Sequence, residues 1–483
     1  MILDFHFPPI TSTVSSTGQL YFLLFKQTPP KCTNKKVPTC YGKSLAIICK
    51  LCKVKGLKEI VNLFKFRSHF RSYSSNTQYT LIWNMIFCLG LGIHLVLYNL
   101  FLQSMVSSEL VIGKILGLNF IAQAIIYIPA GFLSDRLGSK KGVIAGVCVF
   151  TFALTGNLFA TTPSELAFWG FLIGVGHAAS IVTFVPLLTE YSNAIEKKEL
   201  FTFAFSTGTF FTFLGTLLGG IVSDGIQELF HLSNSSSIRI TLSITIIMFI
   251  LCLIPLLFVR ETESQLIANK AHSTLLSILK KKPKLLVPIM TFSISKALAG
   301  ASLGIIAPFI NLFFLHKFAL SPSNISFILA IATLGTVVFM SYNSSVTSRI
   351  TEVQTVSLYH LLSIPAVLLL GATQNIWVAA VAFILFRSTK FGLNPIETKI
   401  MMDRVEPEVR GLTNSFGFMA TSISISLLGP IAMYIVQVAG NEQGYLILCI
   451  LSALGSFAAA IYFLLVFGNR KMHETNVLKS NTV

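Results

Sequence analysis

Five residues draw attention by their setting: His94, His177, Lys296, Arg387 and Lys390 interrupt long apolar stretches of the chain. An ionisable side chain held among apolar neighbours at membrane depth is costly and is a functional candidate by default. At about 1.5 Å per residue, Lys296 and Arg387 each lie about ten residues into their apolar runs, roughly halfway across a bilayer's hydrocarbon. His177 lies at similar depth and His94 past the middle. No carboxylate is expected beside them, because Asp135, Glu190, Asp224, Glu397 and Asp403 all fall near the ends of the runs. Buried cations without internal anions need compensation, and an entering anion is one way to supply it. Arg387 offers a planar fork suited to carboxylate or phosphate, and Lys296 a compact point charge. Lys390, three residues after Arg387, lies on a similar helix face. Hydrogen bonding to a neighbouring helix accounts as well for the histidines, and snorkelling for Lys390. Asn84, Asn99, Asn119, Gln123, Asn311 and Asn394 divide in the same way between polar lining and helix-to-helix hydrogen bonds.

The elements that must hold these residues are membrane spans. The chain is 53% hydrophobic and 11% charged, with a mean hydropathy of +0.74, whereas soluble domains carry about a quarter charged residues. Runs of bilayer length occupy 79 to 103, 109 to 133, 142 to 160, 164 to 190, 199 to 224 and 239 to 259. After a longer basic loop come 286 to 315, 322 to 345, 355 to 373, 375 to 400, 412 to 438 and 443 to 467. The fold class is therefore an all-α membrane protein of about twelve transmembrane helices.

A formal net charge of +17 would suggest nucleic acid in a soluble protein. Here the basic residues fall in the N-terminal tail and in alternate breaks, which is the topology signal of membrane proteins. Arg136, Lys140 and Lys141, then Lys197 and Lys198, then Arg260 to Lys284 mark one side; Arg349, Arg404, Arg410, Arg470 and Lys471 continue it. Both termini are expected in the cytoplasm of a cell-membrane protein, with no nucleic-acid partner. Residues 1–78 form a basic tail without a span-length run, expected to lack order. Its Cys49-Lys-Leu-Cys52 is a single tight pair with no histidine nearby, so no metal site is expected. The tail is unlike a signal peptide, and no methionine occurs between Met1 and Met85. A native start inside the tail is one expectation, which peptides from residues 1 to 40 would overturn.

The loop after the second span reads Gly131-Phe-Leu-Ser-Asp135-Arg136-Leu-Gly138-Ser-Lys140-Lys141. It resembles the loop signature of the major facilitator superfamily: glycine, three residues, aspartate, basic, any, glycine, any, basic, basic. Gly131 would let the helix end approach a neighbour, Gly138 permits a tight turn, and the cations hold the loop on the cytoplasmic side. The resemblance implies a conformational latch, with Asp135 available to a cation or helix N-terminus of the other half. The corresponding stretch of the second half, Tyr342 to Glu352, keeps Arg349 but lacks the glycine and aspartate. Gly215-Thr-Leu-Leu-Gly219-Gly220 resembles an antiporter element of the same superfamily with Thr216 in place of proline, and close helix packing explains its glycines equally well.

The resemblance covers Tyr79 to Gly468 and implies a six-plus-six layout: 79–260 as the first half, 261–285 as a basic linker, 286–468 as the second half and 469–483 as a tail. Pro186 and Pro395, near the ends of spans 4 and 10, recur at the same separation as Lys140 and Arg349, as halves related by repetition would. Spans 1, 4, 7 and 10 are then expected to line a central cavity and to make His94, His177, Lys296, Arg387 and Lys390 substrate-binding. The implied activity is secondary active transport of a small solute, an organic or inorganic anion on the charge argument. A coupling proton or counter-substrate is expected, and so is action as a monomer without a cofactor. The alternative is a proton-coupled exporter of drugs or hydrophobic compounds. An enzyme would need a convergent nucleophile and base, or ligands at metal spacing, and neither pattern appears in the sequence.

Overall fold

The computed structural model describes residues 70–71, 73–190, 197–260, 285–406 and 409–468, all within the compact unit Glu59–Val483. The N-terminal cysteines, most of the linker and the C-terminal tail lie outside these residues, as do the expectations placed on them. The side chains of Asp135 and Arg136 are also outside the description.

Among the described residues, twelve helices are long and apolar enough to cross a membrane. They are α1 (Ser75–Met105), α2 (Glu109–Leu137), α3 (Ser139–Phe159), α4 (Pro163–Glu190), α5 (Lys197–Phe230) and α6 (Asn234–Leu251, continued by Leu253–Phe258). In the second half α7 is split into α7a (Leu286–Gly304) and α7b (Ile310–Phe318), followed by α8 (Pro322–Thr347) and α9 (Glu352–Ala372). Then α10 is split into α10a (Ile376–Gly392) and α10b (Asn394–Arg404), before α11 (Arg410–Ala439) and α12 (Asn441–Phe467).

Several helices start earlier than their apolar runs suggest, α1 and α9 among them, because polar caps extend them. Ser74 Oγ accepts from Thr77 N at 3.3 Å and starts α1 four residues ahead of the apolar run. Thr351 and Gln354 form a reciprocal capping box at α9.

Within the first half α3 packs on α4, α2 on α4 and α1 on α5; in the second, α9 packs on α12, α7a on α11 and α8 on α10a. The halves meet through α2 against α11 and α5 against α8. The α1–α5 contact is backbone to backbone: a Cβ on Gly215 would sit 1.9 Å from the carbonyl oxygen of Leu89, so only glycine fits. Gly219 faces Ile93 on the same helix, while Gly220 lies against Pro322 and Ser326 of α8. Large aromatic side chains fill the interior, among them Trp83, Phe150 and Phe249 in one half and Phe313, Phe383 and Phe386 in the other. Phe152, Phe159, Leu257, Trp377 and Leu465 stand exposed on the outer surface, as expected of residues facing lipid tails.

Let the near end be the one where α1 starts and α12 finishes. Among the described residues, polar contacts between the halves gather at the far end. Asp224 of α5 accepts from the amide of Ser323, in the first turn of α8, at 3.0 Å. Gln437 of α11 accepts from Ser108 Oγ at 3.0 Å and Leu110 N at 3.1 Å. His316 of α7b lies 3.5 Å from Glu109 of α2 and 3.1 Å from the Tyr445 hydroxyl. A cavity of about 460 Å³, lined in part by Gln103, Asp224, Glu228, Asn234 and Ser321, sits among these helix ends.

Candidate functional site

Two helix breaks place polar groups inside the second half. At the first, the turn Ala307–Phe309 interrupts α7, and the freed carbonyl of Pro308 is taken by Asn99 Nδ2 of α1. Asn311 Nδ2 returns the contact to the carbonyls of Leu95 and Val96 at 2.9 and 2.8 Å. At the second, α10 breaks at Leu393, where Asn343 Nδ2 of α8 donates to the Gly392 carbonyl at 2.8 Å. The Tyr359 hydroxyl of α9 donates to Asn343 Oδ1 at 3.0 Å and fixes the orientation of that amide. Backbone freed in a membrane interior must find such partners. Asn84, Asn119 and Gln123 likewise bond to the Ala204 carbonyl, the Gly170 carbonyl and Asn119 Oδ1, so hydrogen bonding accounts for all three.

The second break organises charge. Lys390 closes the last turn of α10a and Glu397 opens the first turn of α10b. Each therefore sits at the helix end whose partial charge favours it. Glu397 Oε2 accepts from Lys296 Nζ of α7a. Glu397 Oε1 lies 3.8 Å from His360 Nε2 of α9 and has no hydrogen-bond partner. His360 Nδ1 lies 3.1 Å from Lys390 Nζ. With Lys390 as an ammonium, it donates to Nδ1, and the neutral imidazole then carries its proton on Nε2, facing Glu397. The four side chains form a row, Lys296, Glu397, His360, Lys390, contributed by α7a, α9 and both parts of α10.

Burial along the row is uneven. His360, Glu397 and Lys390 are only 1%, 3% and 3% exposed, whereas the Lys296 side chain is 28% exposed. Lys296 is thus the least buried member of the row. Gly417 of α11 lies alongside its aliphatic stem.

The expectation that no carboxylate accompanies the deep cations is overturned by Glu397. The apolar run was read as ending at residue 400, which put this glutamate at the membrane edge. After the break the helix continues to Arg404, and Glu397 sits roughly 10 Å inside that end at 1.5 Å per residue. Lys390 is not snorkelling but buried against His360. The structure brings Lys296 and Lys390 into one row and leaves Arg387 outside it. The Arg387 guanidinium stands 5.1 Å over the Phe391 ring, its buried Nε without a partner. Leu385, exposed on α10a, lies on the side of the helix opposite Arg387.

In the first half His94 and His177 meet around one aromatic ring. His94 stacks on Tyr98 with centroids 4.7 Å apart and meets Phe150 edge-on at 5.5 Å. His177 lies 6.1 Å from the same Phe150. Phe150 also meets Phe87 and Phe249, and Trp83 stacks on Phe87 at 5.3 Å.

In the loop between α2 and α3, Gly138 adopts φ 96°, the left-handed region that favours glycine. Lys140 Nζ donates to the Val259 carbonyl at the end of α6 at 2.7 Å, placing a cation on a helix C-terminus. Lys141 is exposed. The close approach expected at Gly131 is absent here, since a Cβ would meet nothing nearer than Val182 at 3.8 Å.

Sequence reasoning missed His360 and Glu397. His360 falls on α9, which was not among the spans expected to line the cavity. The signal for Glu397 was Gly392-Leu-Asn394-Pro395, a breaker cluster just ahead of the acid.

Twelve apolar spans in two halves joined by α2 with α11 and α5 with α8 define a multi-pass membrane protein of transporter architecture. The sequence profile of the Major Facilitator Superfamily matches residues 80–297 and 292–479, and the chain belongs to that superfamily, one of transporters rather than enzymes. Over 139 residues it is 30% identical to the inner membrane transport protein YajR of Escherichia coli (strain K12), covering 28% of this chain and 29% of that one. Over 116 residues it is 30% identical to the gallate transporter of Pseudomonas putida, covering 24% and 25%. The chain thus aligns with less than a third of the length of each of these two relatives. In fold it is similar to the nucleoside transporter NupG, with a TM-score of 0.62 at 17% identity over 81% of this chain and 99% of that one.

Proposed function

We propose that the protein is a secondary active transporter that moves a small organic or inorganic anion by alternating access. The observation that carries this reading is an imbalance of charge: α7a and α10 bring Lys296, Arg387 and Lys390 into the interior against the single carboxylate of Glu397. Part of that positive charge is unanswered within the row, and Lys296 is its least buried member. An anion at Lys296 supplies charge that the helices lack. The name of one relative, a gallate transporter, fits the same class. Gly131, Asp135, Arg136, Gly138, Lys140 and Lys141 act in this reading as a latch for the exchange between states. The protein works as a monomer in the cell membrane with both termini in the cytoplasm.

The test is flux into proteoliposomes of labelled benzoate, choline and glucose, as matched anion, cation and neutral solutes. Uptake of the anion, reduced by Lys296→Gln and by Arg387→Gln, supports the reading. Uptake of only the cation or neutral solute sinks it. The aromatic cluster around Phe150 favours a second reading, export of hydrophobic compounds. Greater dye sensitivity of a deletion strain, reversed by restoring the gene, would favour that alternative.

A further inference from the structure

Resting on alternating access, but not on which solute is carried, we infer that two reciprocal helix caps form one latch at the far end. Each half holds the start of a helix that belongs to the other.

The first amides of a helix have no partner inside it and must find one elsewhere. At α2 and α8 the partner comes from the opposite half. Gln437 of α11 accepts from the amide of Leu110, the second residue of α2, at 3.1 Å, and from Ser108 Oγ just ahead of that helix at 3.0 Å. Asp224 of α5 accepts from the amide of Ser323, the second residue of α8, at 3.0 Å. The arrangement repeats residue for residue: Ser108 with Ser321, Leu110 with Ser323 and Asp224 with Gln437 share a single separation along the chain. Unrelated surface contacts have no reason to take the same helix position twice, whereas contacts built into a repeated half do. Both caps also finish seams in which a glycine brings two backbones together. A Cβ on Gly220 would lie 2.3 Å from the Pro322 carbonyl oxygen, and one on Gly117 would lie 2.9 Å from that of Ser426.

The caps differ in charge, and the helices they hold account for it. α2 begins with its own acid, Glu109, so a second carboxylate there would meet a like charge, and the neutral Gln437 serves. The first turn of α8 carries no acid. Asp224 supplies, from across the junction, the negative charge that a helix N-terminus favours. Each of the two helix starts thus has one carboxylate.

Opening of the far end parts α2 from α11 and α5 from α8 at these points, so both caps break in the same step. Asp224 lines the far-end cavity and Gln437 is exposed, so water replaces the lost bonds. Each cap therefore biases the closed arrangement without fixing it.

Hydrogen exchange of the purified full chain, followed by mass spectrometry without added solute, reads the amides of residues 108–112 and 321–325. Where an amide exchanges only on opening, its rate follows the open population. In Asp224→Ala we expect exchange at the start of α2, whose own cap is intact, to rise roughly fivefold, the typical effect of losing a cap. Gln437→Ala raises exchange at the start of α8 in the same way, by a smaller factor because no charge is lost. Amides at the start of α9, capped by Thr351 and Gln354 within their own half, keep their wild-type rate. Should Asp224→Ala fail to fold, Asp224→Asn keeps an acceptor and gives a smaller rise at both helix starts. Acceleration confined to the helix whose own cap was removed overturns the latch. An equal rise at α9 also overturns it, by reporting a general loosening of the fold. Because no solute is present, the result is independent of the flux test of the anion reading.

Discussion

The two halves share an architecture and differ in what they put at its centre. In the first, His94 and His177 meet around Phe150 in a cluster that continues through Phe87, Phe249 and Trp83. In the second, four titratable side chains form a row across three helices, positioned by a break in α10. The difference teaches where each half gets its specificity of structure. Aromatic packing tolerates substitution of similar shape, because its energy is spread over many weak contacts. A buried row of charges does not, because removing one member leaves its partner uncompensated.

The sharpest way to break the comparison is Glu397→Ala. It leaves Lys296 without its ion-pair partner and is expected to cost about 3–5 kcal/mol in unfolding measurements, with the double variant Lys296→Gln/Glu397→Gln recovering part of the loss. Next in size is Gly215→Val in the first half, where the added atoms collide with the backbone of Leu89. We expect about 1–3 kcal/mol there, against no steric cost for Gly131→Ala, whose nearest neighbour is 3.8 Å from the new Cβ. His94→Phe keeps the stack on Tyr98 and should change stability by less than about 1.5 kcal/mol. The smallest effect is expected at the junction of the halves. Asp224→Asn retains an acceptor for Ser323 but loses the charge at the start of α8, a loss of about 0.3–1 kcal/mol. Faster labelling of a cysteine placed at Ser323 would report the loosened far end.

The twelve spans and their grouping were legible in the sequence because apolar runs of about twenty residues match the length a helix needs to cross a bilayer. Gly138 was legible for a similar reason: its place between two spans required a turn, and the structure gives it a positive φ. Lys296 and Arg387 could be recognised as deep cations by counting along their helices. Glu397 and His360 could not, since hydropathy measures the length of a run and does not reveal that a helix breaks and resumes. The break at Leu393 turns an acid that counted as terminal into an interior group, and partnership between α7a, α9 and α10 is a tertiary fact. The open space at Gly131 has a comparable origin, because the space around a helix end depends on neighbours that the loop motif does not specify.

The central claim is that an anion is bound from the charged half, at Lys296. Its most direct test is thermal unfolding of the purified protein with and without benzoate, comparing the wild type with Lys296→Gln and with His177→Gln. An anion at about 100 times its dissociation constant adds roughly 2.7 kcal/mol to stability, enough to raise the melting point visibly. Stabilisation that survives His177→Gln and disappears in Lys296→Gln is the result expected here. Stabilisation unchanged in Lys296→Gln but lost in His177→Gln would place the site in the aromatic half and contradict the account.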